Sequence, residues 1–392
     1  MSAAVQVVPT VTATVTVPPA GRITTLDGLR GLAILLVFAY HTCSSDTPQF
    51  HDYCNLPALA APVRTLVWLA GKGWAGVDLF FVLSGFLITG ILLDARGSRN
   101  YFRVFYFRRA LRIFPIYYLS LLFLFTVVRP HYGWREQMWY WFNISNLHSA
   151  FHPLTIPNLS HFWTLAVEEQ FYLVWPWVVS RCPSRRLFLI SLGGIAAAII
   201  LRNLPAVQRL NLIYTDFIYR LTPFRVDSLL FGALLAIAIK RGLTRKRSLK
   251  WILGALGLGT GLLAFAMRDA AGMSRYGYTG FALIASGLVL LCALWSDHRS
   301  VAFFRLRPLC ELGRYSYCMY VIQLFVIVVV GHTMRRRLFS AAHPYTSLVA
   351  VAGLELCACY GLARLSWALI EGPALSLKRL MKYQRNHATP YD

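Results

Sequence analysis

The run WAGVDLFFVLSGFLITGILL, residues Trp74–Leu93, decides the fold class. It is twenty residues long with Asp78 its one charged side chain, and a helix needs roughly 20 residues to cross about 30 Å of hydrocarbon. Similar apolar runs recur on both sides of it, at about Leu29–Cys43, Ile113–Val128, His161–Val179, Leu187–Leu201, Val226–Ile239, Trp251–Met267, Tyr278–Trp295, Tyr315–Gly331 and Ser347–Ile370. Several fall short of 20 residues. The expectation is an all-α, polytopic integral membrane protein with about ten transmembrane helices. Residues 22–380 would form the membrane domain, between a flexible tail (1–21) and a C-terminal tail (381–392). The first tail lacks a basic n-region and is interrupted by Pro9, Pro18 and Pro19, so it reads as neither a secretory signal nor a span.

Composition agrees. Of 392 residues, 57% are hydrophobic and 14% charged, against about 25% charged in an average soluble domain; an ordinary soluble enzyme is excluded. The 11 Trp, 20 Tyr and 25 Phe exclude a disordered chain as well.

The net charge of +23 would point to nucleic acid in a soluble protein. Here the basic residues cluster between apolar runs. With the N-terminus inside, 25 Lys and Arg lie in inner segments and 13 in outer ones. That bias predicts a multi-pass protein of the cell membrane with both termini cytoplasmic. It also accounts for the charge through topology and contact with the lipid bilayer, with no nucleic-acid partner.

Of eight cysteines, six sit in or beside predicted spans, where a thiol acts as a small apolar filler. Cys43 and Cys54 lie near the first outer loop, where a disulfide is one alternative. No Cys/His spacing suggests a metal, and there is no glycine-rich phosphate loop or nucleophile-elbow serine.

Ionisable side chains inside spans are costly and usually functional. They are His41, Asp78, Glu168, Glu169, Glu355 and Arg364. Arg30 and His41 are eleven residues apart, which at about 100° per residue returns to within about 20° of one face and rises roughly 16.5 Å. An Arg at the cytoplasmic edge therefore points along its helix to a His near mid-depth, a geometry suited to a substrate entering headgroup first; the alternative is a helix–helix hydrogen bond. Asp78 falls near the same depth, where it could hold the imidazole in one tautomer or form an inter-helix ion pair. Seven residues on, Gly85 shares its face, so with Val82 it makes a stripe for close helix approach. Glu168 and Glu169 differ by about 100° in direction, so one should face a reaction cavity while its neighbour pairs with an Arg or helix backbone. Arg109 and Arg112, three apart, could clamp phosphate from two sides; positive-inside topology is the alternative.

Five motifs together give the chain a resemblance to the membrane acyltransferase family 3. They are Arg30 followed ten residues later by His41, the segment Gly76–Phe86 (GVDLFFVLSGF), the pair Arg109 and Arg112, the segment Phe162–Tyr172 (FWTLAVEEQFY), and Ser316-Tyr317 with Tyr320. The resemblance covers about residues 22–380. It implies transfer of an acyl group, acetyl first among candidates, to a sugar hydroxyl of a cell-surface glycan, lipid-linked saccharide or glycosylated metabolite. It makes His41 catalytic and Arg30, Arg109 and Arg112 its partners toward acyl-CoA, a co-substrate rather than a bound cofactor. Asp78, Glu168 and Glu169 are expected to support the chemistry, and Ser84 and Tyr317 to touch substrate. Many members carry a His three residues after the last Tyr of the fifth motif, whereas this chain has Gln323. The aromatic segment Tyr132–Phe142 could stack on the sugar acceptor or form an interfacial belt. Two rival classes are a transporter or flippase for a sugar-containing substrate, which would consume no thioester, and a non-catalytic membrane scaffold, which would tolerate His41→Ala.

Overall fold

The computed structural model describes residues 23–43, 61–128, 132–152, 156–269, 271–338 and 344–384. Among them every element is helical and there is no strand. Ten helices organise the fold: α1 (Thr24–Cys43), α2 (Gly76–Ala95), α3 (Tyr101–Phe123), α4 (Trp163–Arg181), α5 (Ser184–Asn203), α6 (Thr222–Lys240), α7 (Arg245–Ala266), α8 (Tyr278–Leu294), α9 (Arg307–Leu338) and α10 (Pro344–Ser366).

Each expected span has its helix. Among the described residues, nine helical stretches are long and apolar enough to cross a membrane. The remaining one, α4, has 19 residues but carries Glu168, Glu169 and Gln170 in its middle. The protein is a polytopic membrane protein. Its exterior fits hydrocarbon: Leu189, Leu192 and Ile200 on α5, and Trp251, Leu253, Leu258 and Phe265 on α7, are exposed.

The largest difference from the sequence reading lies in α3. The segment Arg96–Arg112, read as a connection, is helical from Tyr101 onward and runs without a break into the apolar span. A helix tolerates this because arginine stems lie along apolar surface while their heads reach polar surroundings. Arg103, Arg108, Arg109 and Arg112 therefore stand on a rigid element. The candidate Cys43–Cys54 disulfide involves Cys54, which lies outside the described residues, as do residues 1–22 and 385–392.

Two glycine-mediated contacts set the helix spacing around the interior. Gly85 of α2 and Gly232 of α6 face one another so closely that a β-carbon at Gly85 would overlap the Leu229 carbonyl, and one at Gly232 the Val82 carbonyl. Gly31 of α1 and Gly313 of α9 are matched in the same way against the carbonyls of Leu309 and Asp27. With lipid outside, such packing is what draws helices together. It confirms the Val82–Gly85 stripe as a close-approach surface.

Two buried ion pairs cross this packing. Arg225 of α6 donates to Asp78 Oδ1 at 2.9 Å, and Ser228 donates to the same oxygen at 2.8 Å. Arg202 of α5 meets Asp227 of α6 at 2.8 Å, and Thr279 of α8 donates to Asp227 at 2.9 Å. All four charged side chains are fully buried. Arg225 is also stacked over Tyr278, 4.1 Å from the ring centre. At the other extreme of the chain, residues 381–384 are tied to the start of α3: Arg108 donates to the Met381 carbonyl at 2.9 Å, and Asn100 donates to the Lys382 carbonyl at 2.9 Å.

Candidate active site

Seven of the nine expected site residues, all but His41 and Asp78, line one cavity between α1, α2, α3, α4 and α9. Arg30, Arg109 and Arg112 line it, as do Ser84, Glu168, Glu169, Tyr172 and Tyr317, together with Thr164 and Tyr320. Its atom-free space is about 800 Å³, open solvent at its mouth included. On α2 the lining comes from Val77, Phe80, Phe81, Ser84 and Leu87, one helical stripe of three- and four-residue steps.

The arginines form the charged part of the wall. Arg30 has Asp27 one turn before it, at 3.5 Å. Arg109 lies over the Tyr172 ring, 4.9 Å from its centre. Among the described residues, no carboxylate comes within ion-pair distance of Arg109 or Arg112. The three guanidinium groups share this wall with Glu168 and Glu169 without an ion-pair contact to either, and their planar forks match phosphate oxygens in shape and charge.

Both glutamates of α4 face this cavity, in contrast to the expected division of labour. The cavity wall is wide enough to take two directions about 100° apart. Glu168 is held in place: Ser84 of α2 donates to its Oε1 at 2.6 Å and Tyr172 to its Oε2 at 3.0 Å. Glu169 has no hydrogen-bond or ion-pair partner among the described residues. Tyr317 lines the cavity with its hydroxyl donated to the Ile113 carbonyl at 3.0 Å.

Asp78 does not line the cavity. Of its two alternatives the geometry realises the ion pair, because its position on α2 puts it on the Gly85 face against α6, where Arg225 and Ser228 take its carboxylate. Orientation of His41 by Asp78 is therefore not the arrangement found.

The cavity lining includes Thr164 and Tyr320, whose hydroxyls lie 2.7 Å apart. His41 itself is not part of that lining. It stands beyond, half-buried near the end of α1, its ring centre 5.9 Å from that of His161, which is in turn 5.2 Å from the Tyr320 ring. Beside it Thr42 donates to the buried Glu355 of α10 at 3.0 Å. Arg364, the last intramembrane charge, is exposed over the Tyr360 ring, its guanidinium carbon 6.0 Å from the ring centre. In the segment Tyr132–Phe142, Trp141 is stacked on Tyr118 while Trp134 is exposed.

The sequence reading omits three groups that this interior depends on. Asp227 lies inside the sixth expected span, Arg225 one residue before it and Arg202 one residue after the fifth. A search for every charge within a turn of a span would have found them. His161, at the boundary of the fourth span, carries the same signal.

These features define a class first: a multi-pass membrane protein with an arginine-lined cavity whose Tyr320 adjoins a pair of histidines. Residues 23–364 match the family model described as an acyltransferase domain, that of acyltransferase family 3, and the chain belongs to that family. It is 27% identical over 337 residues to the O-acetyltransferase OatA of Staphylococcus aureus (strain NCTC 8325 / PS 47), covering 78% of this chain and 51% of that protein. It is 30% identical over 340 residues to the putative peptidoglycan O-acetyltransferase YrhL of Bacillus subtilis (strain 168), covering 78% and 48%. A shorter match, 33% identical over 168 residues, joins 38% of the chain to 23% of the peptidoglycan O-acetyltransferase OatA of Listeria monocytogenes serovar 1/2a (strain ATCC BAA-679 / EGD-e). The chain thus spans about half the length of the two longer-matching relatives. No solved structure matches it.

Proposed function

We propose that this protein moves an acetyl group from acetyl-CoA to a hydroxyl of a cell-surface glycan, peptidoglycan being the acceptor its relatives suggest. The observation that carries this reading is the cavity itself. Three arginines, two of them free of carboxylate partners among the described residues, line a pocket whose Tyr320 ring lies 5.2 Å from that of His161, the neighbour of His41.

In this account the phosphates of CoA bind at Arg30, Arg109 and Arg112 on the cytoplasmic side, both termini of the chain lying on that side. The pantetheine arm carries the thioester inward, past Glu168 and Glu169, to the region of Tyr320 and His41. His41 acts as general base. The acceptor oxygen attacks the thioester carbonyl, the C–S bond breaks as the C–O ester bond forms, and the hydroxyl proton passes through the imidazole to the departing thiolate. Atoms and charge balance without a further reactant. Scarcity of water along the path limits hydrolysis of the thioester. Glu168, pinned by Ser84 and Tyr172, and Glu169 accept hydrogen bonds from the amide and hydroxyl groups of the pantetheine arm, while Asp78 acts through helix packing.

The acceptor is tested by mass spectrometry of cell-surface glycans from cells with the gene, without it, and with His41→Ala in its place. O-acetyl groups present only with the wild-type gene support the reading. Equal acetylation in all three would refute it.

A further inference from the structure

We infer that His161 is a positioning residue that sets the tautomer and orientation of His41. The inference rests on the reading of His41 as the base. It begins from the second imidazole, to which that reading gives no task.

His161 belongs to the short helical turn Pro157–Phe162 immediately before α4, and only 3% of its surface is exposed. Its Nε2 lies 3.2 Å from the Val321 carbonyl of α9. A carbonyl oxygen can only accept, so Nε2 carries the proton and, in the neutral ring, Nδ1 is left as a lone pair. That Nδ1 is buried and has no hydrogen-bond partner among the described residues. Burying an acceptor without a partner is costly, and a site that keeps one open has a use for it.

The imidazole beside it is His41, at 5.9 Å between ring centres with the planes at 65°. At that separation an N–H of His41 reaches the His161 lone pair through one bridging water. His161 is held firmly for the purpose. Its backbone carbonyl accepts from Thr164 at 3.1 Å and from Tyr320 at 3.2 Å, two hydroxyls of the cavity wall. With the tautomer of His161 fixed by Val321, the nitrogen of His41 turned toward it must bear hydrogen, so the opposite nitrogen is the one left to accept a proton from substrate. His161 thus fills the orienting role expected of Asp78, without carrying charge, and it stays out of the proton transfer itself.

The test reads the rings directly. Full-length protein labelled with ¹⁵N-histidine in lipid nanodiscs gives imidazole nitrogen shifts that report protonation at each site, assigned by His41→Ala and His161→Phe. In the wild type, His161 should appear as the Nε2–H tautomer and His41 as a single tautomer. In His161→Phe, which keeps ring volume, the His41 signals should shift to a tautomer mixture, and turnover with acetyl-CoA should fall at least tenfold with its KM within twofold. His161→Gln, whose amide donates to Val321 and offers an oxygen acceptor, should restore the single His41 tautomer; it also serves should the Phe variant fold poorly. Unchanged His41 shifts in a folded His161→Phe protein would overturn the inference, even if His41→Ala is inactive. An active His41→Ala enzyme would instead remove the underlying reading.

Discussion

The Ser84 hydroxyl of α2 donates to the Glu168 carboxylate of α4 at 2.6 Å, joining two helices across the cavity that the arginines line. Tyr172 holds the other oxygen and lies under Arg109, so acid, phenol and guanidinium form one connected wall. Removing one member should be felt at the others. A double-mutant cycle of Ser84→Ala and Glu168→Ala, read by thermal unfolding of the purified protein, should give a coupling of about 1.5–3 kcal/mol, the worth of a hydrogen bond to a charged group. Additive effects would mean that the two side chains act separately.

Arg109 and Arg112 should govern affinity for the anionic donor. Loss of one charge-assisted contact costs about 1.5–3 kcal/mol, so Arg109→Ala should weaken CoA binding about 10- to 100-fold in titration calorimetry. Arg112→Lys keeps the charge but loses the planar fork, and the fall should be smaller than for Arg112→Ala. Equal binding by wild type and Arg109→Ala would place the donor elsewhere.

The Asp78–Arg225 pair should behave as structure. Breaking a buried pair leaves an uncompensated charge, at a cost of about 3–5 kcal/mol. Asp78→Ala and Arg225→Ala should therefore each lower the yield and melting temperature of the detergent-solubilised protein. The double variant Asp78→Leu/Arg225→Met should recover much of the loss. Recovery of stability without recovery of turnover would reassign Asp78 to the chemistry.

Close approach of α2 and α6 predicts that Gly85→Val is tolerated poorly, because its β-carbon meets the Leu229 backbone, which has nowhere to move. Gly90, on the same helix, has open space at the β-carbon position, and Gly90→Ala should be close to neutral. Melting temperatures of the two variants give the comparison.

Much of this was legible in the sequence, for reasons that differ by residue. The spans were legible because apolar length is a local property, and Trp74–Leu93 alone reveals it. The nearness of Arg109 to Arg112 was legible from their spacing, and their grouping with Arg30 only from the resemblance to the family. The start of α3 was not, since a cluster of arginines reads as a connection even where the helix runs through it. Nor was the partner of Asp78, because Arg225 lies 147 residues away and just outside its predicted span. The neighbours of Glu168 were hidden for a similar reason: Ser84 is 84 residues away. His161 was passed over because its significance lies wholly in the ring across from it.

The measurement that bears most directly on the account is release of free CoA from acetyl-CoA by the full-length protein in nanodiscs, supplied with a soluble peptidoglycan fragment. Wild type should release CoA and transfer label to the fragment, while His41→Ala, folded and still binding CoA, should do neither. Turnover by His41→Ala equal to that of the wild type would contradict the account.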